Sequence, residues 1–198
     1  MKGSFCAELA AAAARFVVEE GMEYGPAKRK AARALGRGTV RSHELPRNDD
    51  VEDEVRAYLQ LFCADTQPTE LAALRAVALR WMERLAEFRP HLTGPVWRGT
   101  ATRLSSVHLQ LFCDDPKAAE IALINEGVNY ESASRPGARG DPINLLCVHQ
   151  ACRELGEMVA VHLSVLDHDD LRGALKPDAN GRTERGDMAA LRRLMEAT

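Results

Sequence analysis

Aromatic residues are scarce in this chain, at 5% of 198 positions. Reading unpaired bases by stacking needs several exposed aromatic faces, so the composition counts against a base-stacking module. Cysteine is sparse and odd in number, at 5, with no C-x-x-C pair, which fits reduced thiols better than a disulfide framework or a zinc ribbon. No apolar run approaches the roughly 18 residues of a spanning helix. The alanine-rich start "MKGSFCAELAAAAARFVVEEG" is broken by Glu8, Arg15, Glu19 and Glu20, which makes a poor signal peptide; a cytoplasmic protein with no membrane partner is expected. Neither G-x-x-x-x-G-K-[ST] nor G-x-S-x-G occurs, so nothing supports a P-loop ATPase or a serine hydrolase elbow.

What is present is an ordinary globular composition, 45% hydrophobic and 28% charged, with a formal net charge of -3. That charge conceals a local asymmetry. Lys28, Arg29, Lys30, Arg33, Arg37, Arg41 and Arg47 face the single acid Glu44, and "DDVEDE" from Asp49 then reverses the sign. Lys28, Arg29, Lys30, Arg33 and Arg37 could meet phosphates of a nucleic acid, or form a solvated face that pairs with the acidic run.

The stretch "LQLFC" occurs at Leu59 to Cys63 and again at Leu109 to Cys113. In the first copy Val51, Val55, Tyr58, Leu59 and Phe62 recur at helical spacing; in the second Val107, Leu109 and Leu111 alternate with Ser106, His108 and Gln110. One copy is therefore expected in a helix and the other in a strand, with no duplication. Helices are expected over Phe5 to Glu20, over "GPAKRKAARALG", after an N-cap at Asn48 or Asp49, and from a Thr69 cap to about Phe88 following a break at Gln67-Pro68.

Beyond Pro90 the pattern predicts strands in "HLTGPVW", "SSVHLQLF", "VNYES", "INLLCVHQ" and "GEMVAVHLSVL", the last two as a hairpin. A helix is expected in "KAAEIALINEG", loops in "RPGARGDP" and "KPDANGRTERGD", and a closing helix in "MAALRRLMEA". Helices followed by interleaved strands imply an α+β fold with a mixed sheet. We place an all-helical N-terminal region at 1–66 and the α+β domain at 67–198.

The segment "GPVWRGTATRLSSVHLQLF" resembles the signature of the nucleotidyltransferase superfamily, the polymerase-beta-like and minimal nucleotidyltransferase fold. Its pattern is glycine-serine, a spacer, then Asp-x-Asp on a strand, with a third carboxylate on a neighbouring strand. Gly94-Pro95 and Ser106-Val107-His108 keep the spacing, "RGTA" is similar to the family's turn, and His162 in "VAVHLSVL" matches the third acid. The resemblance implies a nucleotidyltransferase-like mixed sheet flanked by helices. It also implies a nucleotide or phosphate pocket at Gly94, Arg98, Gly99, Thr100 and Arg103. The whole layout, "AKRKAARALG" included, resembles a bacterial family as well, which implies nothing about function.

The family's acids hold magnesium against a triphosphate. Ser106, His108 and His162 do not supply the anionic oxygens that magnesium prefers, so loss of magnesium-dependent transfer is expected, along with a role as a binding or regulatory module. The rival is an active nucleotidyltransferase using Asp114, Asp167 or Asp169 as ligands, and a third reading is a nucleic-acid adaptor; a protein partner fits either binding role. Two alternatives centre on the histidines. One is a zinc site adding Cys147, His149 and Cys152, and the other uses His108 or His162 as base or nucleophile. "DHDD" at Asp167 to Asp170 reads as a solvated capping turn, Cys113 and Cys147 as core thiols, Trp81 as core, and Trp97 as core or pocket wall.

Overall fold

A computed structural model describes residues 2–37, 40–136, 142–171 and 183–197. The fold is α+β, and contacts divide the chain into two compact units, Met1–Pro68 and Thr69–Thr198.

The first unit is helical: α1 (Lys2–Glu20), α2 (Tyr24–Ala34) and α3 (Asn48–Phe62). Its core is built mainly from small side chains, with Ala13, Ala27, Ala31, Leu9, Val51 and Val55 fully buried. Alanine lets helices approach closely, and each fully buried Leu or Val adds roughly 1.5–3 kcal/mol. The start of α3 is one residue earlier than expected. Arg47 is the N-cap, and its N–H donates to the Asp50 carboxylate at 2.8 Å. The first LQLFC copy ends this helix, with Cys63 at its C-cap.

The helix α4 (Gln67–Arg84), which lies in the second unit from Thr69 onward, includes Pro68 and Thr69, so the proline occupies the first turn and does not break the helix. Its buried side carries Leu71, Leu74, Val77, Ala78, Trp81 and Met82, and a 3-10 turn from Ala86 to Phe88 follows. Then come β1 (His91–Thr93), α5 (Gly94–Arg98), β2 (Val107–Phe112), α6 (Ala118–Asn125), β3 (Glu131–Pro136), β4 (Pro142–Cys152), β5 (Glu157–Leu166), β6 (Arg185–Gly186) and α7 (Met188–Glu196).

The six strands lie in the order β3-β4-β5-β2-β1-β6. Only β2 and β5 run parallel, which makes the sheet mixed, and β4 and β5 form the expected antiparallel hairpin. Along β2 and β5 burial alternates. Val107, Leu109, Leu111, Val161, Leu163 and Val165 turn to one buried core with α4, while His108, Gln110, His162 and Ser164 turn to the other face.

Three further elements differ from expectation. "GPVW" is the short α5: Gly94 has φ 73, a left-handed conformation that ends β1 at Thr93, and Pro95 then suits the first helical turn. Val128 to Tyr130 are not in a strand, and β3 starts at Glu131. Within the predicted loop "KPDANGRTERGD", Arg185 and Gly186 pair with β1, and the Asp187 side chain caps α7 by accepting from the Ala190 N–H at 2.8 Å. Residues 176–182 of that loop and 137–141 of "RPGARGDP" lie outside the described residues.

Candidate functional site

The register of the sheet places one row of side chains across its polar face. Cys147 on β4 opposes His162 on β5, His162 opposes His108 on β2, His108 opposes Thr93 on β1, and Thr93 opposes Arg185 on β6. Directly opposed residues point to the same side. The His108 and His162 rings stack, with centroids 5.1 Å apart and planes 21° from parallel. Gly94 closes this arrangement from the end of β1: a Cβ there would stand 3.2 Å from His108 Cδ2, so the bare backbone lies against the imidazole. Ser106 precedes β2 by one residue, outside the ladder.

Arg185 extends over the same face, where its guanidinium donates to Gln110 Oε1 at 2.5 Å and sits 5.4 Å from the centre of the Phe112 ring. Burial pulls its pKa down, opposed by Glu184 and Asp170. A lone arginine in a polar tail gives no periodic signal, so sequence reasoning missed this contribution. Cys147 is held protonated, its thiol pushed up by burial and then by Glu131.

The predicted phosphate-binding residues are spread over more than one environment. Arg98 ends α5 and is half-buried, and Gly99 is its left-handed C-cap, with Arg75 Nη2 3.6 Å from where a Cβ would lie. Arg75 is 5% exposed, and its Nε donates to the Val96 carbonyl at 3.3 Å. Burial lowers its pKa. The sequence offers no sign of this, since an arginine on an amphipathic helix normally reads as solvated. Thr100 and Thr102 are buried, and their hydroxyls have no hydrogen-bond partner among the described residues.

Arg103 is half-exposed, ion-paired with Glu157 at 3.1 Å, while its N–H donates to Glu70 at 2.9 Å. Glu157 precedes His162 by five residues of extended strand, roughly 16 Å at about 3.3 Å per residue. Arg103 is thus held away from the histidine pair. Trp97 is core-side: its Nε1–H donates to the Thr183 carbonyl at 2.7 Å, and its ring lies against Gly186, which pairs with the buried Leu92.

The site does not fit magnesium. The imidazoles of His108 and His162 and the nearby Ser106 offer none of the anionic oxygens that magnesium prefers, and among the described residues no three His, Cys, Asp or Glu side chains gather closely enough to hold a metal ion. The zinc arrangement is overturned by strand alternation. Cys147 and His149 share the polar face, but Cys152 is buried on the other and its thiol meets Glu154 at 3.3 Å. Asp114 and Asp169 line a separate cavity of about 470 Å³ with Arg89, His168 and Leu171, past the C-terminal ends of β2 and β5. His168 Nε2 lies 3.8 Å from Asp114 there. Asp167 is used locally, accepting from the Asp169 N–H at 2.8 Å before the 3-10 turn His168–Leu171.

In the helical unit most of the basic segment is engaged internally. Lys28 donates to the Pro46 carbonyl at 3.0 Å and to Asn48 at 2.8 Å, Lys30 pairs with Glu20 and lies over Phe16, Arg37 lies over Phe5, and Arg47 pairs with Asp49 at 2.9 Å. Arg29 and Arg33 are exposed on α2.

Among the described residues no helix is long and apolar enough to cross a membrane. No family model matches the chain, and no curated protein matches it. Solved structures do. The chain is similar to Cid1 in complex with the UTP analog UMPNPP, at 16% identity and TM-score 0.39, over 61% of this chain and 37% of that one. It is also similar to the MgGTP-bound Cid1 poly(U) polymerase, at 16% identity and TM-score 0.38, over 61% of this chain and 39% of that one. A third Cid1 structure, concerned with RNA terminal uridylyl transferase activity, matches at 17% identity and TM-score 0.32, over 61% and 37%. The chain thus spans less than two fifths of the length of these structures.

Proposed function

We propose that this is a nucleotidyltransferase-fold protein that has lost magnesium-dependent transfer and serves as a cytoplasmic nucleotide- or phosphate-binding, regulatory module. The observation that carries this reading is the stacked His108–His162 pair, with His108 against Gly94: His108 stands at the second acid of the signature's Asp-x-Asp and His162 at its third carboxylate. Imidazole N–H groups, with the Arg185 guanidinium farther along the same face at Gln110, suit an anion, whereas a magnesium site needs clustered carboxylates. The ligand's phosphates would meet the polar face of the sheet directly, with no metal between them. The α+β domain at 67–198 carries this site, and the helical region at 1–66 is an attachment to it.

Calorimetry with nucleoside triphosphates, with and without magnesium, tests the reading. Binding that does not change when magnesium is chelated, and that weakens in His162→Ala, is expected. Binding that requires magnesium favours an active enzyme drawing on Asp114 or Asp169. No nucleotide binding, with salt-dependent binding to RNA or DNA instead, favours an adaptor using Arg29 and Arg33.

A further inference from the structure

The β3 strand is the last in the sheet, paired to β4 on one side from Glu131↔Cys147 to Pro136↔Pro142 in an unbroken register without a bulge. Among the described residues nothing pairs with its other edge. All of Glu131 to Arg135 are exposed. Such an edge presents a row of backbone donors and acceptors that can add another strand, and proteins usually blunt it with a bulge or lysines. Here the middle of the strand is Ser132-Ala133-Ser134, small side chains without charge, and the charges lie only at its ends.

Those charges are placed symmetrically. Glu131 and Arg135 are each two residues from Ala133 and stand on the same face of the strand. Neither has an ion-pair partner among the described residues. We propose that β3 is a self-complementary docking edge for a second copy of this chain, related by a two-fold axis through Ala133. In that antiparallel pairing Glu131 opposes Arg135 of the second copy, Ser132 opposes Ser134, and Ala133 opposes Ala133. Both cross-strand charge pairs are then of opposite sign, and two six-stranded sheets become one continuous sheet. A closed two-fold contact uses the same patch on both copies, which is what a strand with acid and base at equal distances from its centre provides. A partner of another sequence would have no reason to need that symmetry.

Sedimentation equilibrium on the full chain tests this, at concentrations up to about 1 mM because an interface of one strand pair is small and weak. The wild-type chain is expected to dimerise. Glu131→Arg opposes arginine to arginine, and Arg135→Glu opposes glutamate to glutamate, so each alone should associate roughly tenfold more weakly or worse. An equimolar mixture of the two variants restores opposite charges at both positions and should recover dimers. The doubly reversed chain carrying both substitutions should dimerise by itself. Recovery on mixing also shows that both variants are folded; if either single variant fails to fold by circular dichroism, the doubly reversed chain decides. A wild type that stays monomeric, single reversals without effect, or no recovery in the mixture and the double variant would each overturn the proposal.

Discussion

His108 and His162 oppose each other on parallel strands with ring centroids 5.1 Å apart, in a sheet whose other face is sealed by aliphatic side chains. If this row descends from a carboxylate site, its backbone spacing still suits one. Ser106→Asp, His108→Asp and His162→Asp together should therefore create a magnesium site. Without metal the three carboxylates repel, and the variant should melt below wild type. Magnesium at a hundred times its dissociation constant should return about 2.7 kcal/mol of stability, while leaving wild-type melting unchanged. Thermal unfolding with magnesium and with chelator reads this directly. A variant indifferent to magnesium would mean that the row lacks metal-site spacing, and the proposed kinship would lose its support.

A Cβ on Gly186 would lie 2.1 Å from the Trp97 ring, far inside contact distance. Gly186→Ala must therefore displace the indole, and with it the hydrogen bond to Thr183 that ties the chain before β6 to α5. Overpacking of this kind costs about 1–3 kcal/mol. Urea denaturation should show that loss in Gly186→Ala. The pair Gly186→Ala with Trp97→Leu should recover part of it, because the smaller side chain vacates the space.

Short periodic runs made much of this fold legible. Val107, Leu109 and Leu111 alternate with His108 and Gln110, as Val161, Leu163 and Val165 do with His162 and Ser164, and in paired strands those two alternations send both histidines to one face. The two LQLFC copies separate correctly because their flanks differ in period, 3.6 against 2. What was not legible depends on single residues acting over long range. Arg75 reads as surface until α5 is seen to end on it, Arg185 lies in a polar tail with no pattern, and Trp97 is fixed by a glycine 89 residues away. Gly94-Pro95 is ambiguous for a different reason. Glycine followed by proline can end a strand in a loop or start a helix, and the following Val96-Trp97 fits a short strand as well as a turn of helix. Pro68 misleads similarly, since proline is a breaker inside a helix but tolerated in its first turn.

Arg89 has φ 47 and ψ 58, and it is the one non-glycine residue with positive φ among the described residues. The left-handed conformation costs a residue with a Cβ about 1–2 kcal/mol, and glycine gives back roughly 0.5–1 kcal/mol of that through its freer unfolded chain. Arg89→Gly should accordingly be neutral to stabilising by up to about 1 kcal/mol. Arg80→Gly, on the exposed side of α4, should instead cost about 1 kcal/mol. Guanidinium denaturation of both variants compares them; equal losses would show that the turn at Arg89 is not strained.

His91 couples this corner of the sheet to pH. It is 6% exposed, its Nδ1–H donates to the Arg89 carbonyl at 2.8 Å, and its ring meets Phe112 edge-on at 5.3 Å. Burial lowers its pKa below the usual imidazole range, the hydrogen bond to Arg89 opposes that shift, and Arg185 lowers it further while Asp187 raises it. The folded chain therefore refuses a proton that the unfolded chain accepts near pH 6.5. Its contribution to stability is complete above about pH 6.5 and is lost as pH falls from there toward the depressed folded value. His91→Gln keeps an amide donor for the Arg89 carbonyl but does not titrate. Urea denaturation between about pH 5 and 8 should show stability falling on the acid side in wild type, with a slope shallower by up to one proton in the variant. Identical slopes would mean that His91 protonates equally well folded and unfolded, and that its burial against Phe112 carries no electrostatic cost.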